Sequence, residues 1–597
     1  MFFNQVIDTV EFDAGIPLLQ ARALQTLAIW NPTWLTSTFG YPQQYTFIMT
    51  DNFIIFGLLF SVLTGLGASE TVALNLVKIF FNSLAGYFCW LYLRPTGSTA
   101  ILFALIFQSC FFILNYPHHV QLQSHFLFPL LLILLSRDIN RRVLLQIGLL
   151  LALSYFLSAY YFVFLSIITA VWIIGNFKKI QVADLVYLIL PLALLLPFLI
   201  PQIIISLERK RSAVDLSWYS FRASYYFPFL DRPIYGYTGF LGYAFTLILI
   251  LGLFCLVGVL PSVVFLVMML LSSVNPHFKG WISYLIPFLG FFSKVSKPVA
   301  VSAFILIALS LGAIEGYPSL LATCLEALPQ LNSIRIPVRY FVAGAMVLFL
   351  LSVKLITDKD KPLVIIAGLI FFVEILLYRP QHGFIPPKYE FQTKFDRLFI
   401  YGWPRVFERD RVNYDGYAFL NQIHLARLFS PTYHTFLINS GYHFYKLDSA
   451  LRRLDHFPSV ASLRVIKSLN FDYVASTRKR RSRLLTLVER KGPYFLYKIN
   501  RVYFTNSFII FVPSYTRSAK IRWRAERDCA VTVEYSQSAE VVNKFTTVLG
   551  KRPKIDILFI DPTLRHRTNP IEINVLPKDC GKVWLYSSGP NSSTKLN

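Results

Sequence analysis

Cysteine is scarce and unclustered in this sequence, and several common catalytic motifs are missing from it. Its six cysteines include no CxxC pair, so a zinc or redox motif is not indicated. The chain also lacks a phosphate-binding glycine loop, an HExxH sequence and a nucleophile elbow. These absences argue against an ATP-driven transporter and against a hydrolase of the soluble type. We expect no cofactor, and a divalent metal has no supporting motif.

The composition is too apolar for a soluble protein of this length. Of 597 residues 55% are hydrophobic, and the mean hydropathy is +0.52, which predicts an integral membrane protein. Acidic residues are few, since 57 Lys and Arg stand against 32 Asp and Glu and give a net charge of +25. In a membrane protein this balance indicates cytoplasmic loops and contact with anionic membrane lipid, so we expect no nucleic acid partner.

Apolar runs alternate with short polar connectors between residues 53 and 378. A bilayer core about 30 Å thick requires roughly 20 apolar residues per helix, so the shorter runs suit tilted or re-entrant helices. We predict a polytopic α-helical membrane domain with about ten to thirteen membrane helices. The runs are 53–67, 72–93, 98–115, 124–136, 143–157, 159–175, 184–206, 238–259, 262–273, 283–293, 299–314, 337–356 and 362–378.

Basic connectors define the predicted orientation in a plasma (inner) membrane. Connectors rich in Arg and Lys should be cytoplasmic, and they lie at 137–142, 178–179 and 354–361. By alternation, the 208–236 loop and everything after residue 378 face the periplasmic or extracellular side. Residues 1–52 then form an outer-face loop with juxtamembrane helices, and Met1–Asp13 lacks the apolar core of a cleavable signal sequence. Either the 53–67 run spans the membrane and the N-terminus is cytoplasmic, or a first helix is missing; the alternation favours the second.

The chain changes character after residue 378, where alternating patterns and Pro and Gly punctuation replace the apolar runs. We predict a soluble α/β domain over 379–500 and a small β-sandwich domain over 501–597. Period-two segments rich in Val, Ile, Thr and aromatics indicate strands in the second of these, at Tyr503–Val512, Ala530–Tyr535, Ile555–Ile560 and Lys582–Ser587. Cys529 and Cys580 also lie there and can pair in an oxidising compartment.

Carboxylates cluster ahead of the first apolar run. Asp8, Glu11 and Asp13 lie within six residues of one another, and Asp51 ends the same polar and aromatic stretch. A carboxylate at a membrane-facing cavity can act as a general base, since burial raises its pKa toward the working pH. The alternative is a helix N-terminus whose acids complement the helix dipole.

A second polar stretch, 115–125, separates two apolar runs on the predicted outer side. It contains His118, His119 and Gln121, whose side chains can bind a phosphate, a sugar or a metal. His119 and His125 lack the i, i+4 spacing of a helical metal pair. A polar lip of a cavity is therefore the favoured interpretation, and no metal site is predicted.

Two groups of cations lie near the predicted outer ends of membrane helices, namely Arg209, Lys210 and Arg211 in the 208–236 loop and Arg335 and Arg339 at the start of the 337–356 run. Either group can hold a phosphate or diphosphate. As snorkelling cations of the membrane interface they would need no further function. A third basic run, 478–483, suits a solvated face or lipid contact.

Short motifs follow one another along most of the chain, in the order Trp30-Asn-Pro, Phe39-Gly-Tyr-Pro, Leu74-Asn-Leu-Val, Ala85-Gly-Tyr, Leu93-Arg-Pro-Thr-Gly, His118-His-Val-Gln, Phe128-Pro-Leu, Arg211-Ser-Ala, Ser310-Leu-Gly, Ile334-Arg-Ile-Pro-Val-Arg, Thr432-Tyr-His, Ile438-Asn-Ser-Gly-Tyr and Leu469-Asn-Phe-Asp-Tyr-Val. In this order they resemble the GT-C superfamily of polytopic membrane glycosyltransferases, in its bacterial type that depends on polyprenyl-phosphate sugars. The first outer loop of that superfamily carries an acidic residue, usually Asp, that acts as the base or positions the acceptor. The matching residue here is Asp13, with Asp8 second.

The resemblance implies transfer of a sugar from a polyprenyl-phosphate lipid donor to a glycan or lipid acceptor at the outer membrane face. The predicted catalytic residues are Asp13 and Asp8. The predicted substrate-binding residues are Asp51, His118, His119, Gln121, Arg209, Lys210, Arg211, Arg335 and Arg339. The alternative is a non-catalytic membrane protein of the same fold, either a lipid-linked glycan transporter or an assembly scaffold.

Overall fold

The computed structural model divides the chain into two compact units. The first comprises Met1–Pro17 with Asp51–Ile385, and the second comprises Leu18–Thr50 with Pro386–Asn597. The predicted domain boundaries at residues 52, 378 and 500 stay predictions. The structure describes residues 6–7, 35–36, 45–46, 54–110, 113, 120–197, 199–200, 240–274, 276–312, 319–327, 337–356, 361–377, 382–383, 390–395, 397–401, 427–429, 459–469, 471–500, 502–512, 518–537, 540–559 and 571–590.

The described part of the first unit is almost entirely helical. Its α-helices are α1 (Ile54–Gly65), α2 (Glu70–Leu93), α3 (Thr99–Gln108), α4 (Leu127–Leu135), α5 (Arg141–Leu157), α6 (Ala159–Gly175), α7 (Leu185–Ala193), α8 (Tyr243–Val257), α9 (Val259–Val274), α10 (Pro276–Leu285), α11 (Lys297–Ser310), α12 (Leu320–Ala327), α13 (Val338–Val353) and α14 (Lys361–Leu377). Segments of 3-10 helix join several of them, at Arg94–Thr96, Val120–Phe126, Phe177–Lys179, Val182–Asp184 and Ile286–Phe292. A small antiparallel ladder of this unit pairs β1 (Val6–Ile7) with β4 (His382–Gly383). A second ladder, which belongs to the second unit, pairs β2 (Leu35–Thr36) with β3 (Tyr45–Thr46).

Helix α13 forms the centre of the first unit. Every residue from Val338 to Val353 is buried, as expected for a helix that is apolar on all sides. The ring of Phe349 stacks on Phe245 of α8 with the ring centres 4.4 Å apart. Helix α11 approaches closely at Gly344, where a Cβ atom would lie 2.6 Å from the carbonyl oxygen of Ala303. The packing of α13 therefore determines where its first turn is held.

A carboxylate of α14 caps the start of α8. Glu374 accepts hydrogen bonds from the backbone N–H of Tyr243 at 2.5 Å and of Ala244 at 3.3 Å. These are N–H groups of the first turn, which have no partner within their own helix. The end of α14 is thereby joined to the beginning of α8.

Among the described residues, the helical stretch Glu70–Thr96 is the one whose length and composition would let it cross a membrane. The other apolar helices found there are 10 to 17 residues long. The prediction of a largely helical protein with a C-terminal β-sheet region is confirmed. The predicted placement of ten to thirteen of its helices in a membrane stays a prediction.

A five-stranded mixed sheet lies in the second unit. Its strand order is β6-β5-β7-β9-β8, with β5 (Arg397–Tyr401), β6 (Arg427–Phe429), β7 (Tyr473–Ser476), β8 (Leu485–Lys491) and β9 (Tyr494–Ile499). Strand β5 runs parallel to β6 and β7, and β9 runs antiparallel to β7 and β8. Helix α15 (Val460–Ser468) precedes β7 and buries Leu463 and Ile466 completely.

Two four-stranded antiparallel sheets follow in the same unit. Their orders are β10-β17-β12-β15 and β11-β16-β13-β14, and the strands are β10 (Val502–Phe504), β11 (Phe508–Val512), β12 (Ser518–Ala525), β13 (Cys529–Gln537), β14 (Glu540–Leu549), β15 (Lys554–Phe559), β16 (Ile571–Pro577) and β17 (Val583–Pro590). The single strand predicted at Tyr503–Val512 is divided, because β10 and β11 belong to different sheets. Trp523 and Val533, one from each sheet, are fully buried.

The region of the two four-stranded sheets contains the cysteine pair that the sequence singles out. Cys529 and Cys580 form a disulfide with their Cα atoms 5.0 Å apart. It joins the first residue of β13 to the turn before β17, across 51 residues of chain. The other four cysteines, all in the helical unit, are free thiols.

Candidate functional site

A buried arginine lies where helices α6 and α13 begin. Arg339, in the first turn of α13, is only 4% exposed. Its guanidinium carbon lies 4.4 Å from the centre of the Tyr160 ring, which belongs to the first turn of α6. A cation over the face of an aromatic ring is attracted by the ring quadrupole, most strongly where both groups are desolvated. The pair therefore marks a cationic position inside an apolar helical unit.

Local sequence explains why both helices start at this level. Pro337 precedes α13 and, like proline at many helix starts, needs no hydrogen-bond partner for its nitrogen. Ser158 separates α5 from α6 with an extended backbone, φ −170° and ψ 126°. The Tyr340 ring packs edge-on against Phe164, one turn into α6, at 5.2 Å. Two helix starts, each with the positive end of its dipole, are thus held side by side.

The 3-10 segment Val120–Phe126 is attached to the same end of α6. The Tyr161 hydroxyl donates a hydrogen bond to the carbonyl oxygen of Leu122 at 2.9 Å. The Tyr161 ring also packs against Phe128 of α4 at 5.3 Å. Tyr161 lies close enough to Arg339 for an electrostatic interaction between them. This one tyrosine therefore links the segment, α4 and the arginine.

His125 is the most deeply buried polar side chain among those described in that segment. It is fully buried, and its ring centre lies 5.4 Å from that of Phe107 in α3. Backbone groups of Gln108, Leu122 and Gln123 surround the ring. Within the described part of the chain, neither ring nitrogen makes a hydrogen bond of acceptable geometry.

Two buried side-chain hydroxyl groups lie near the starts of α6 and α13. The side-chain oxygens of Tyr340 and Ser158 have no hydrogen-bond partner among the described residues. Leaving a buried polar group unpaired costs about 1–3 kcal/mol, so such groups are rare unless a function retains them. Together with Arg339, the neighbouring tyrosines and His125 of the attached 3-10 segment, they form what we call the Arg339 cluster: Arg339, Tyr160, Tyr161, Tyr340, His125 and Ser158.

The chemistry available to the Arg339 cluster is recognition of an anion that carries hydroxyl groups. A guanidinium offers a fork of N–H donors that matches phosphate oxygens. Neutral hydroxyl and imidazole groups can donate or accept hydrogen bonds with sugar hydroxyls. Within the described residues no group of three or more His, Cys, Asp or Glu side chains is arranged to hold a metal ion.

The structure places one of the predicted site residues with its side chain, Arg339, and it lies inside the helical unit. The backbone of Gln121 belongs to the 3-10 segment Val120–Phe126, and its side chain is not described. The other predicted catalytic and substrate-binding residues lie outside the described residues: Asp8, Asp13, Asp51, His118, His119, Arg209, Lys210, Arg211 and Arg335. The suggested pairing of Arg335 with Arg339 stays a prediction.

Sequence reasoning missed the tyrosines that surround Arg339. Tyr160 and Tyr161 interrupt an apolar run directly after Ser158, and Tyr340 follows Arg339 in the chain. A paired tyrosine at a break between two apolar helices is a signal that polar contacts are needed there. The tyrosine pair does not identify the cation that contacts it, because Tyr160 and Arg339 are far apart in the sequence.

Comparisons with protein-family models, with curated proteins and with solved structures give no match to this chain.

Proposed function

We propose that this chain is a polytopic membrane glycosyltransferase that moves a sugar from a polyprenyl-phosphate donor to a glycan or lipid acceptor at the periplasmic or extracellular face of the plasma (inner) membrane. Two parts of this proposal rest on different observations. The membrane location rests on the outer surfaces of the helices. The reaction rests on the Arg339 cluster and on the order of the sequence motifs.

Helix α14 carries the clearest support for a membrane location. Ile365, Leu369, Phe372 and Leu376 each expose at least 60% of their surface. Their spacing of three and four residues places them in one stripe along the helix. An apolar stripe of this length is unfavourable in water and favourable in lipid.

The length of α14 agrees with that environment. Its 17 residues correspond to about 26 Å of helix, close to the hydrocarbon thickness of about 30 Å. Its opposite face is packed, with Val364 and Ala367 buried. One face against protein and one against lipid is the arrangement expected of a peripheral helix in a membrane bundle.

The observation that carries the proposed reaction is the buried guanidinium of Arg339. A charge inside an apolar bundle is costly, so an intramembrane arginine marks a substrate or ion site by default. We assign it the phosphate of the lipid donor, whose negative charge grows as the sugar leaves and which a fixed cation stabilises. The neighbouring Tyr160 and Tyr161 give the sugar aromatic and hydroxyl contacts.

The base in this proposal is Asp13, with Asp8 as the second choice. A carboxylate near the acceptor hydroxyl removes or orients its proton during the transfer. Asp51, His118, His119, Gln121, the cations at 209–211 and Arg335 complete the proposed substrate contacts at the outer face. The reaction as proposed needs no cofactor.

A reconstituted transfer assay tests the proposal. The full chain is placed in proteoliposomes with a radiolabelled polyprenyl-phosphate sugar, and the label that reaches an acceptor is counted. Asp13→Asn should abolish transfer while leaving the amount of folded protein unchanged, and Asp8→Asn should reduce transfer less. Equal transfer by wild type and Asp13→Asn would remove Asp13 from the mechanism. Donor binding without transfer by the wild type would instead support the non-catalytic alternative.

A further inference from the structure

One outer face of the β-sandwich carries cations in a regular row. Strand β12 alternates strictly, with Ile521 and Trp523 fully buried. Lys520, which precedes Ile521, and Arg522, which lies between the two buried residues, are exposed. Arg524, which follows Trp523, is half-buried. All three cations therefore extend from the side of the sheet that faces away from the core.

Among the described residues of these strands, no carboxylate points to the outer face. The four strands of the sheet, β10, β17, β12 and β15, contain a single acidic residue, Asp556. It accepts a hydrogen bond from Trp523 Nε1 at 2.6 Å and forms an ion pair with Lys554 at 3.0 Å. Since Trp523 is a core residue, Asp556 lies on the inner side of the sheet. The next acid along the chain, Glu526, lies beyond the end of β12 and pairs with Lys582 at 3.8 Å.

The other sheet of the sandwich provides a contrast within the same protein. There Lys544 of β14 forms an ion pair with Glu534 of β13 at 2.8 Å. Cations and carboxylates are thus mixed on that sheet. The unmixed row on β12 is a property of one face and does not follow from the basic composition of the whole chain.

Exposed aliphatic side chains lie beside the cations. The strand register places Ile557 opposite Lys520 and Ile555 opposite Arg522 on the edge strand β15. The two isoleucines are 48% and 50% exposed. At one end of the row Arg524 lies over the ring of Trp584, with its guanidinium carbon 4.5 Å from the ring centre.

We propose that this face, defined by Lys520, Arg522, Arg524, Ile555 and Ile557, lies against the headgroup layer of an anionic membrane. Lysine and arginine close to such a surface are attracted by the phosphates of anionic lipids. Adjacent aliphatic side chains enter the boundary between headgroups and acyl chains. A soluble polyanion such as an acidic glycan offers charge but no apolar layer, so it would leave both isoleucines in water. The contact rests on the proposed membrane location of the chain and is separate from the Arg339 cluster.

Photocrosslinking of the full chain tests this contact. A photoreactive benzophenone amino acid replaces Ile555, and the protein is reconstituted in vesicles of phosphatidylcholine with or without phosphatidylglycerol. The matched control carries the same group in place of Val548, which is 64% exposed but belongs to the other sheet. Lipid adducts are identified by mass spectrometry after illumination.

The contact predicts phosphatidylglycerol adducts at position 555 and few at position 548. The double variant Lys520→Glu with Arg522→Glu should lower the adduct yield at 555 about tenfold, since each reversal replaces attraction by repulsion. Lys544→Glu, on the mixed sheet, should leave the yield unchanged. An intact Cys529–Cys580 disulfide and resistance to protease show that each variant is folded.

Three results would overturn the contact. They are equal adduct yields at 555 and 548, a yield at 555 that the double charge reversal does not change, and crosslinks from 555 to another polypeptide instead of lipid. Sugar transfer is measured in the same vesicles, so the two proposals fail separately. Transfer with no adduct refutes the contact alone, and adducts with no transfer refute the proposed reaction alone.

Discussion

The guanidinium carbon of Arg339 lies 4.4 Å from the centre of the Tyr160 ring, and the two residues occupy the first turns of different helices. Neither residue is close to the other in the sequence, so the contact exists only because α6 and α13 begin at the same level. The pair joins helix packing to proposed chemistry, since Tyr160 fixes the cation that is assigned to the donor phosphate.

Replacement of Tyr160 separates the aromatic face from the hydroxyl. Tyr160→Phe keeps a ring under the guanidinium, whereas Tyr160→Leu removes it, so the leucine variant should be less stable than the phenylalanine variant by about 1–2 kcal/mol. Thermal unfolding of the purified protein in detergent measures both. Equal melting temperatures for the two variants would show that the ring face does not hold Arg339.

Two buried tyrosines predict opposite effects for the same deletion of a hydroxyl. Tyr161→Phe removes the donor to Leu122 and leaves a buried carbonyl oxygen without it, which should cost about 1–3 kcal/mol. Tyr340→Phe removes a hydroxyl that has no partner among the described residues, so it should be neutral or stabilising. Chemical denaturation of the two variants in parallel provides the comparison. A larger loss for Tyr340→Phe than for Tyr161→Phe would contradict this account of the cluster.

The cap at the start of α8 predicts a local effect of replacing Glu374. Glu374→Ala removes the acceptor for the N–H groups of Tyr243 and Ala244 and should cost about 1–2 kcal/mol. Glu374→Gln keeps one acceptor oxygen and should cost less. Amide hydrogen exchange in the first turn of α8 should accelerate most in the alanine variant. Unchanged exchange there, with the loss spread over the whole protein, would contradict the cap.

A carboxylate of the second unit predicts a pH dependence. Burial raises the pKa of Glu489, but hydrogen bonds from Gln392 N, Thr393 N and Thr393 Oγ1 at 2.9, 3.0 and 2.9 Å outweigh that effect, and the pKa lies below its ordinary value. Because its pKa is lower in the folded protein, the ionised Glu489 carboxylate stabilises the fold at pH values above its unfolded-state pKa of about 4.3. This stabilisation is lost as the pH falls through the folded-state pKa.

Comparison with Glu489→Gln isolates that contribution. At neutral pH the wild type should be more stable than the variant, and the difference should shrink progressively below about pH 4, where both side chains become uncharged. Limited proteolysis of the 390–395 segment, compared between the wild type and Glu489→Gln as a function of pH, measures this difference in stability. A difference that grows on acidification would show that the sign is wrong.

Much of the helical framework is predictable because it depends on local patterns. The apolar run 159–175 coincides with α6 (Ala159–Gly175), since Ser158 and the polar residues after Gly175 interrupt the apolar sequence at both ends. The strand predicted at Tyr503–Val512 is wrong as a single element, because alternation continues across the turn that separates β10 from β11. Local periodicity cannot show that a chain changes sheets.

The Arg339 cluster lies beyond what the sequence can predict. Arg339 is predicted as a substrate-binding cation at a helix entry, a position where exposure to the headgroup layer would be ordinary. Its burial depends on tertiary packing that includes the Tyr160 ring of α6, which is distant in the chain. His125 belongs to a stretch predicted as a polar lip, and the structure encloses its side chain completely.

Transfer of a labelled sugar from a polyprenyl phosphate by wild-type protein and by Arg339 variants tests the central claim most directly. The account predicts transfer by the wild type, a loss of about a hundredfold or more in Arg339→Gln, and partial activity in Arg339→Lys, which keeps the charge but not the fork of donors. Folded Arg339→Gln protein that transfers sugar at the wild-type rate, or a wild type that transfers none from any polyprenyl-phosphate donor, would contradict it.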